Sequence, residues 1–263
     1  MLTQPIAHDA HDVAMDVFTR LDPGSIALLF DVDGTLIDIG PSPFEVDVSQ
    51  ELLASLVRLY ERTEGALALV SGRPIVDLDR LFRPLKLPIV GGHGAEMRLH
   101  NGEVFCAAGD LPDDMRGLLA GIARPDSGIV VEDKGYSVAL HYRKAPKEAE
   151  RIRKHIAAVR AGFPGEATEL LLGKAMFEVK RPGIDKGFSV RELMRRAPFV
   201  GRTPVFIGDD VTDETVFKVM PDLGGKSFSV RRHFPGLSGI FDSAAQVRSA
   251  LQRLAGGAVS QPA

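Results

Sequence analysis

Four short apolar runs in this sequence stop abruptly at small, acidic or glycine residues. The runs are Ile26–Phe30 before Asp31, Ala66–Val70 before Ser71, Pro88–Val90 before Gly91, and Val205–Ile207 before Gly208. Continuous apolar runs are typical of strands that are buried on both faces, as in parallel sheets. Helical patterns lie between them, for example the apolar positions from Leu52 to Tyr60. We therefore predict an α/β fold with a parallel, Rossmann-like sheet and helices on both faces.

Acidic residues follow two of these runs. Asp31 and Asp33 come after the first run, and Asp209 comes after the last one. The carboxyl ends of parallel strands share one edge of the sheet, where ligands bind. Like charges at a buried edge repel each other, and a divalent cation compensates them. Because carboxylate oxygens suit Mg²⁺, the sequence predicts a Mg²⁺ site; the alternative is a pair of acidic turns that only cap helices.

The middle of the chain shows a different pattern. It contains a hairpin-like alternation of apolar and polar residues, a helical pattern and two further short strands, at 128–142, 149–159 and 167–179. We predict a smaller α+β domain at 103–182, inserted into a core made of residues 1–102 and 183–263.

The composition excludes several classes of protein. The 263 residues carry a formal net charge of −3, and no basic stripe predicts binding to nucleic acid. No run of about 18 apolar residues predicts a membrane span. The single cysteine, Cys106, excludes a disulfide scaffold and is compatible with a reducing compartment. We expect a monomer in the cytoplasm that binds neither nucleic acid nor membranes.

The N-terminal segment, residues 1–24, lacks the basic and apolar regions of a secretory signal peptide. His8 and His11 lie in this segment, but nothing nearby completes a metal site. We expect the segment to be solvated.

The polar clusters resemble, in chain order, the four motifs of the haloacid-dehalogenase-like phosphatases. Asp31–Thr35 resembles the first motif, Ser71 the second, Lys186 the third, and Gly208–Asp213 the fourth. Further stretches resemble the trehalose-6-phosphate phosphatase branch of that superfamily: Ser71–Pro74, Gly92–Glu96, Glu178–Lys180 and Gly183–Gly187. The resemblance extends from about residue 25 to about residue 254.

The resemblance implies a Mg²⁺-dependent phosphatase that forms a covalent intermediate. Asp31 would attack phosphorus and form an aspartyl-phosphate. Asp33, held protonated by its acidic neighbours, would donate a proton to the leaving oxygen and then activate water. Lys186 would neutralise the phosphate. The metal would be held by Asp31, the backbone carbonyl of Asp33, and Asp209.

Other residues of the motifs receive supporting roles. Thr35, Ser71 and Arg73 are expected to bind the phosphate. Asp210 and Asp213 would be either metal ligands or groups that orient metal-bound water, and we favour the second role for both.

Substrate choice is assigned to the inserted domain, which would cover the site as a lid. The charged residues expected to contact a sugar are Glu132, Lys134, Glu178 and Lys180; the alternative is an ordinary solvated face. His93 and Gly94 would line the phosphate-side entrance, unless His93 is purely structural. The substrate that the resemblance implies is trehalose 6-phosphate.

Competing functions remain open at the level of sequence. Another sugar phosphatase of the superfamily, acting on sucrose phosphate, a mannosyl-glycerate phosphate or a hexose phosphate, would share the core motifs. A catalytically silent regulatory domain, an ion-pump phosphorylation domain and a dehalogenase fit less well, because Asp31, Asp33, Lys186 and Asp209 are all present.

Overall fold

The computed structural model describes residues 8–40, 46–106, 109–173 and 175–256. The chain divides into a core unit, Met1–Phe105 with Asp185–Ala263, and an inserted unit, Cys106–Ile184. None of the helices in the described part is both long and apolar enough to cross a membrane.

The core unit contains a large sheet. Its strands are β1 (Ile26–Phe30), β2 (Leu67–Val70), β3 (Ile89–Gly91), β4 (Glu96–Arg98), β5 (Val104–Cys106), β10 (Thr203–Gly208), β11 (Lys226–Val230) and β12 (Gly239–Phe241). Their order across the sheet is β12-β11-β10-β1-β2-β3-β4-β5. The strands from β12 to β3 are parallel, and β4 runs antiparallel to β3. The prediction of an α/β fold with a mainly parallel sheet is confirmed.

Helices cover both faces of this sheet. They are α1 (His8–Thr19), α2 (Gln50–Arg62), α3 (Ile75–Leu81), α6 (Lys186–Met194), α7 (Glu214–Val219) and α8 (Ala244–Leu254). Alternate side chains of β1 point to opposite faces. Leu28 and Phe30 join a buried cluster with α1, α2, α3 and α8, whereas Ala27 and Leu29 join a second cluster with α6 and α7.

Helix α1 corrects the expectation of a solvated N-terminal segment. Ala14 and Phe18 are fully buried, and the Phe18 ring makes edge contacts with two phenylalanine rings of β11 and β12. Their spacing of four residues puts both side chains on one helix face. Val17 and Leu21 pack against the same cluster, and with Ala14 and Phe18 they follow helical spacing, so the sequence contained a signal for this packing that our interpretation missed. The side chains of His8 and His11 lie outside the described part of the chain.

The inserted unit is built around a four-stranded antiparallel sheet. Its strands are β6 (Val130–Asp133), β7 (Ser137–His141), β8 (Glu169–Gly173) and β9 (Met176–Lys180), in the order β6-β7-β9-β8. Helices α4 (Asp113–Ala120) and α5 (Ala149–Ala161) pack against one face, where Val138, Leu140, Phe177 and Val179 are buried. Because neighbouring residues of a strand point to opposite faces, the polar residues between them share the other face.

Candidate active site

Functional side chains follow three adjacent parallel strands of the core unit. Asp31 directly follows β1, Asp209 follows β10 on one side, and Ser71 follows β2 on the other. The register pairs Phe30 with Ile207, so β1 and β10 end at almost the same level. The structure thus brings Asp31 and Asp209 to one edge of the sheet.

Lys186, the first residue of α6, lies between two buried carboxylates. Its Nζ donates hydrogen bonds to Oδ1 of Asp31 at 2.8 Å and to Oδ1 of Asp213 at 2.7 Å. Burial opposes the charge on the ammonium group, but Asp31 and Asp213 outweigh it and raise the pKa of Lys186 above its ordinary value. Asp31 therefore has a permanent positive charge beside it.

Three carboxylates gather around this single ammonium group. Asp31, Asp209 and Asp213 each offer an oxygen within 4.8 Å of the others. Burial, and then the charge of Asp213, raises the pKa of Asp31 well above its usual range. Burial, followed by the charges of Asp213 and Asp210, raises the pKa of Asp209 to about 6. When all three carboxylates are ionised, their negative charge therefore exceeds the single positive charge of Lys186.

Two neighbouring features suit this cluster to a cation and an anionic ligand. Gly34 has a φ of 85°, and a Cβ there would collide with the carboxylate of Asp209, so only glycine leaves the loop this close. The Thr35 hydroxyl is buried and has no hydrogen-bond partner among the described residues. Buried polar groups normally have partners, so this oxygen is suited to a ligand. The donor set, with its surplus of carboxylate oxygens, fits Mg²⁺.

The two other acids of the fourth motif, which we expected to act alike, differ. Asp213 is fully buried, and its Oδ2 accepts from the backbone N–H groups of Asp209 at 2.9 Å and Asp210 at 3.0 Å. Asp210 is largely exposed and caps a short 3₁₀ helix by accepting from the N–H of Val211 at 2.6 Å. Asp213 therefore orients both Lys186 and the Asp209 loop, whereas Asp210 lies outside the cluster.

The structure gives Asp33 a basic partner that the sequence did not indicate. Its carboxylate accepts two hydrogen bonds from Arg73, from Nε to Oδ2 at 2.7 Å and from Nη2 to Oδ1 at 2.6 Å. The hydrogen bond with Asp33 raises the pKa of Arg73 further. A bidentate pair of this kind is held by two charge-assisted hydrogen bonds and fixes the orientation of both side chains. Arg73, which we expected on the phosphate, here holds Asp33.

The remaining predicted residues of the core unit lie in the loops after β2 and β3. Ser71 is buried, and its Oγ accepts from the N–H of Arg73 at 3.1 Å; its O–H can still donate to a ligand. His93 and Gly94 belong to the 3₁₀ turn Gly92–Gly94, and the His93 imidazole lies against Gly72. The structure thus brings these loops together.

On the polar face of the inserted unit, three of the four predicted charged residues meet. Lys134 Nζ lies 3.4 Å from Oε1 of Glu178 and 3.6 Å from Oε1 of Glu132. Lys180 points to other partners: its Nζ lies 2.8 Å from Oε1 of Glu169 and donates to the carbonyl of Ile184 at 2.7 Å.

Sequence reasoning missed three members of this face. Ser137 Oγ donates to Oε1 of Glu178 at 2.7 Å, and His141 Nε2 lies 3.1 Å from Oε2 of Glu132; Glu169 is the third. The hydrogen bond with His141, and then the charge of Lys134, lowers the pKa of Glu132. The alternation along β7 was a usable signal, since Ser137 and His141 occupy its polar positions.

The core arrangement suits phosphoryl transfer. A buried carboxylate, an ammonium group and a cluster of acids that could hold a cation converge, and a dianionic phosphate needs such neutralisation before a nucleophile can attack it.

Comparison with known proteins points in the same direction. The sequence model of the trehalose-phosphatase family matches residues 29–240. A trehalose-6-phosphate phosphatase of Escherichia coli (strain K12) is 41% identical over 208 residues, which cover 78% of this chain and 77% of that protein. Among solved structures, the C-terminal domain of a C. albicans trehalose-6-phosphate phosphatase has a TM-score of 0.72 at 20% identity, covering 97% of this chain and 99% of that one. A haloacid dehalogenase-like hydrolase from Bacteroides thetaiotaomicron has a TM-score of 0.64 at 17% identity, covering 88% and 99%. These two likenesses support the fold.

Proposed function

The chain belongs to the trehalose-phosphatase family of phosphoric monoester hydrolases, and on this premise we propose that it hydrolyses trehalose 6-phosphate to trehalose and inorganic phosphate. The observation that carries the proposal is the buried group of Asp31, Asp209 and Asp213 around Lys186. Its surplus of negative charge has no structural benefit, because like charges raise each other's pKa. A catalytic cation explains the surplus.

The cation in this proposal is Mg²⁺. Asp31, Asp209 and the backbone carbonyl of Asp33 would hold it, and it would supply positive charge that neutralises and orients the phosphoryl group. Lys186 contributes the second positive charge through its contact with Asp31. Thr35 and Ser71 donate hydrogen bonds to phosphoryl oxygens.

Asp31 is the nucleophile. Its carboxylate oxygen forms a bond to phosphorus while the bond from phosphorus to the sugar oxygen breaks, which gives an aspartyl-phosphate. Lys186 keeps the attacking carboxylate oriented. Water then attacks phosphorus, releases phosphate and restores the carboxylate.

Asp33 is the proton donor in the first step and the base in the second. In the structure its carboxylate is paired with Arg73. In this proposal the incoming phosphate competes for Arg73, which frees Asp33 to take up and deliver a proton. In this proposal Arg73 contacts Asp33 before the phosphate binds and contacts the phosphate afterwards.

The inserted unit is the specificity domain in this proposal. Its polar face carries acceptors and donors a few ångströms apart, from Glu132, Lys134, Glu178 and Lys180, and such alternation suits a polyhydroxyl sugar. The proposal includes a cytoplasmic, monomeric enzyme; the single Cys106 supports a reducing compartment.

A phosphate-release assay across sugar phosphates tests this function. With Mg²⁺, trehalose 6-phosphate should be hydrolysed faster than sucrose 6-phosphate, mannosyl-glycerate phosphate or glucose 6-phosphate, and excess chelator should abolish turnover. Faster hydrolysis of another sugar phosphate would refute the substrate, and full activity in chelator would refute the cation.

Asp31→Asn tests the nucleophile. The variant should lose turnover, whereas Asp38→Asn, an acid of the same loop that pairs with Arg248, should keep it. Acid quenching during turnover should trap a phosphoryl group on the peptide that contains Asp31. A phosphoryl group on Ser71 or His93 would refute the mechanism.

A further inference from the structure

The segment Gly92–Glu96 is distinctive in sequence but carries no reacting group in the proposed mechanism. It lies between β3 and β4 and includes three successive residues with positive φ: Gly92 at 55°, His93 at 56° and Gly94 at 104°. A non-glycine residue such as His93 rarely adopts this conformation unless its surroundings hold it there. Those surroundings are two loops that carry residues of the active site.

The first of these loops, Ser71–Arg73, follows β2. The N–H of His93 donates to the carbonyl of Ser71 at 3.1 Å, and the N–H of Gly92 donates to the carbonyl of Arg73 at 2.9 Å. The His93 imidazole lies against Gly72 between them. All three residues of the loop therefore touch the turn.

Glu96 fixes the end of the same loop. Helix α3 begins at Ile75, and Pro74 before it offers no side-chain hydrogen bond to the first turn. The first N–H groups of a helix have no partner within the helix. Here Oε2 of Glu96 accepts from the N–H of Ile75 at 2.8 Å. Glu96 is the first residue of β4. It thus connects this strand to the start of α3, which lies two residues after Arg73.

The second loop leads into Lys186. Gly94 packs so closely on the carbonyl oxygen of Asp185 that a Cβ at this position would collide with it. The carbonyl of Gly94 accepts from the buried hydroxyl of Ser189 at 2.6 Å. Ser189 lies one helical turn after Lys186 and Asp185 lies directly before it. The Gly92–Gly94 segment therefore contacts the chain on both sides of the residue that carries the catalytic ammonium.

We propose that Gly92–Glu96 is a positioning element for phosphoryl transfer, which holds the Ser71–Arg73 loop and the Lys186 end of α6 in a fixed relation, with Glu96 as its main positioning residue. The inference rests on the proposed function, in which Ser71, Arg73 and Lys186 act on the phosphoryl group. Neither Glu96 nor Gly94 needs to touch substrate, because both act through the groups that they hold.

Kinetics of Glu96→Ala and Glu96→Gln test the role. Glu96→Ala removes the acceptor for Ile75 and should lower kcat about tenfold to a hundredfold, the loss that small misplacements of catalytic groups cause. The loss should be equal for trehalose 6-phosphate and p-nitrophenyl phosphate, with KM for the sugar substrate nearly unchanged. Glu96→Gln keeps a carbonyl oxygen and should retain most of the activity.

Ser243→Ala is the matched control. Ser243 Oγ accepts from the N–H of Gln246 at 3.3 Å at the start of α8, so this variant also removes one bond to a helix N-terminus. It should lower Tm to a similar extent and leave kcat unchanged. An equal loss of kcat in both variants, or none in Glu96→Ala, would overturn the proposal.

Hydrogen exchange gives a readout that does not depend on activity. In Glu96→Ala, amide exchange should accelerate in peptides covering both 71–75 and 185–189; in Ser243→Ala it should not. Acceleration within α3 alone would mean that Glu96 is only a helix cap, and the proposal would fail. If the unaltered enzyme hydrolyses neither substrate, the proposed function fails. Hydrogen exchange, together with the Kd of inorganic phosphate, then still decides whether Gly92–Glu96 couples the Ser71–Arg73 loop to α6.

A second variant covers the case in which Glu96→Ala does not fold. Ser189→Ala removes the bond to Gly94 and should show the same paired acceleration of exchange and the same loss of kcat. Normal kinetics in that variant would overturn the proposal.

Discussion

The acidic edge of the core unit and the polar face of the inserted unit are both rich in charge, but their charges are balanced differently. At the acidic edge, Asp31, Asp209 and Asp213 share one ammonium group, and burial raises the pKa of Asp31 and Asp209. On the polar face, Lys134 lies between two glutamates and the pKa of Glu132 is lowered. A cluster whose charges conflict points to a ligand that resolves the conflict, whereas a network whose charges are already paired gives no such indication.

The largest expected effect comes from removing the central ammonium of each region. Lys186→Met leaves buried Asp31 and Asp213 without their partner and should cost about 3–5 kcal/mol in the free energy of unfolding at pH 7.5 without metal. Lys134→Met should cost only about 1–2 kcal/mol, because Ser137 still donates to Glu178. Urea unfolding of both variants measures the difference. Equal costs would mean that the two regions are balanced alike.

The second largest effect is expected from adding metal, which should stabilise the acidic edge and not the polar face. With a pKa of about 6 against an ordinary value of 3.8, Asp209 binds its proton more tightly in the folded state. Without metal, it therefore weakens folding progressively as the pH rises from about 4 to above 6. Mg²⁺ at a hundred times its Kd should add about 2.7 kcal/mol at pH 7.5, and less at pH 5, where protons compete. Tm measured with and without Mg²⁺ at both pH values checks this; equal gains at the two would contradict it.

A smaller effect, confined to one substrate, should follow from Glu178→Ala on the polar face. If this carboxylate binds the sugar, the variant should lose about 1–3 kcal/mol in kcat/KM for trehalose 6-phosphate, the scale of a charged hydrogen bond. An aryl phosphate does not reach it and should be hydrolysed normally. Equal losses on both substrates would indicate a defect in folding, and no loss on either would leave the face without a role in binding.

The smallest effect is expected at the exposed end of the same face. His141 and Glu132 are both about two-fifths exposed, so solvent screens their interaction. His141→Gln should change the free energy of unfolding by less than about 1 kcal/mol. A larger change in urea unfolding would show that this pair is coupled to the buried part of the network.

The sequence predicted the acidic edge because the end of each strand can be recognised from a few neighbouring residues, and the ends of parallel strands lie together in the fold. An apolar run that stops at Asp31 and another that stops before Asp209 must end at the same edge if the strands are parallel. No further information about the loops is needed to bring the two residues together.

Partners that are distant in sequence were not predictable in this way. Nothing near Arg73 or Asp33 in the chain indicates that they pair across 40 residues, and the separation of Asp213 from Asp210 depends on a short 3₁₀ turn. Hydrophobic periodicity describes which face of an element is buried, but not which polar side chains meet above it. The contacts of Glu96 were hidden for the same reason.

The strand order has one more consequence for Asp31. Strand β1 has β2 on one side and β10 on the other, and α2, which follows β1, covers one face of the sheet, whereas α7, which follows β10, covers the opposite face. The two connections leave the sheet in opposite directions, and such a topological switch point opens a crevice at the carboxyl ends of its strands. Asp31 stands at that point. The crevice is a product of chain topology, so the position of Asp31 depends on the order of β10, β1 and β2 at the centre of the sheet and not on the outer strands β12 and β5.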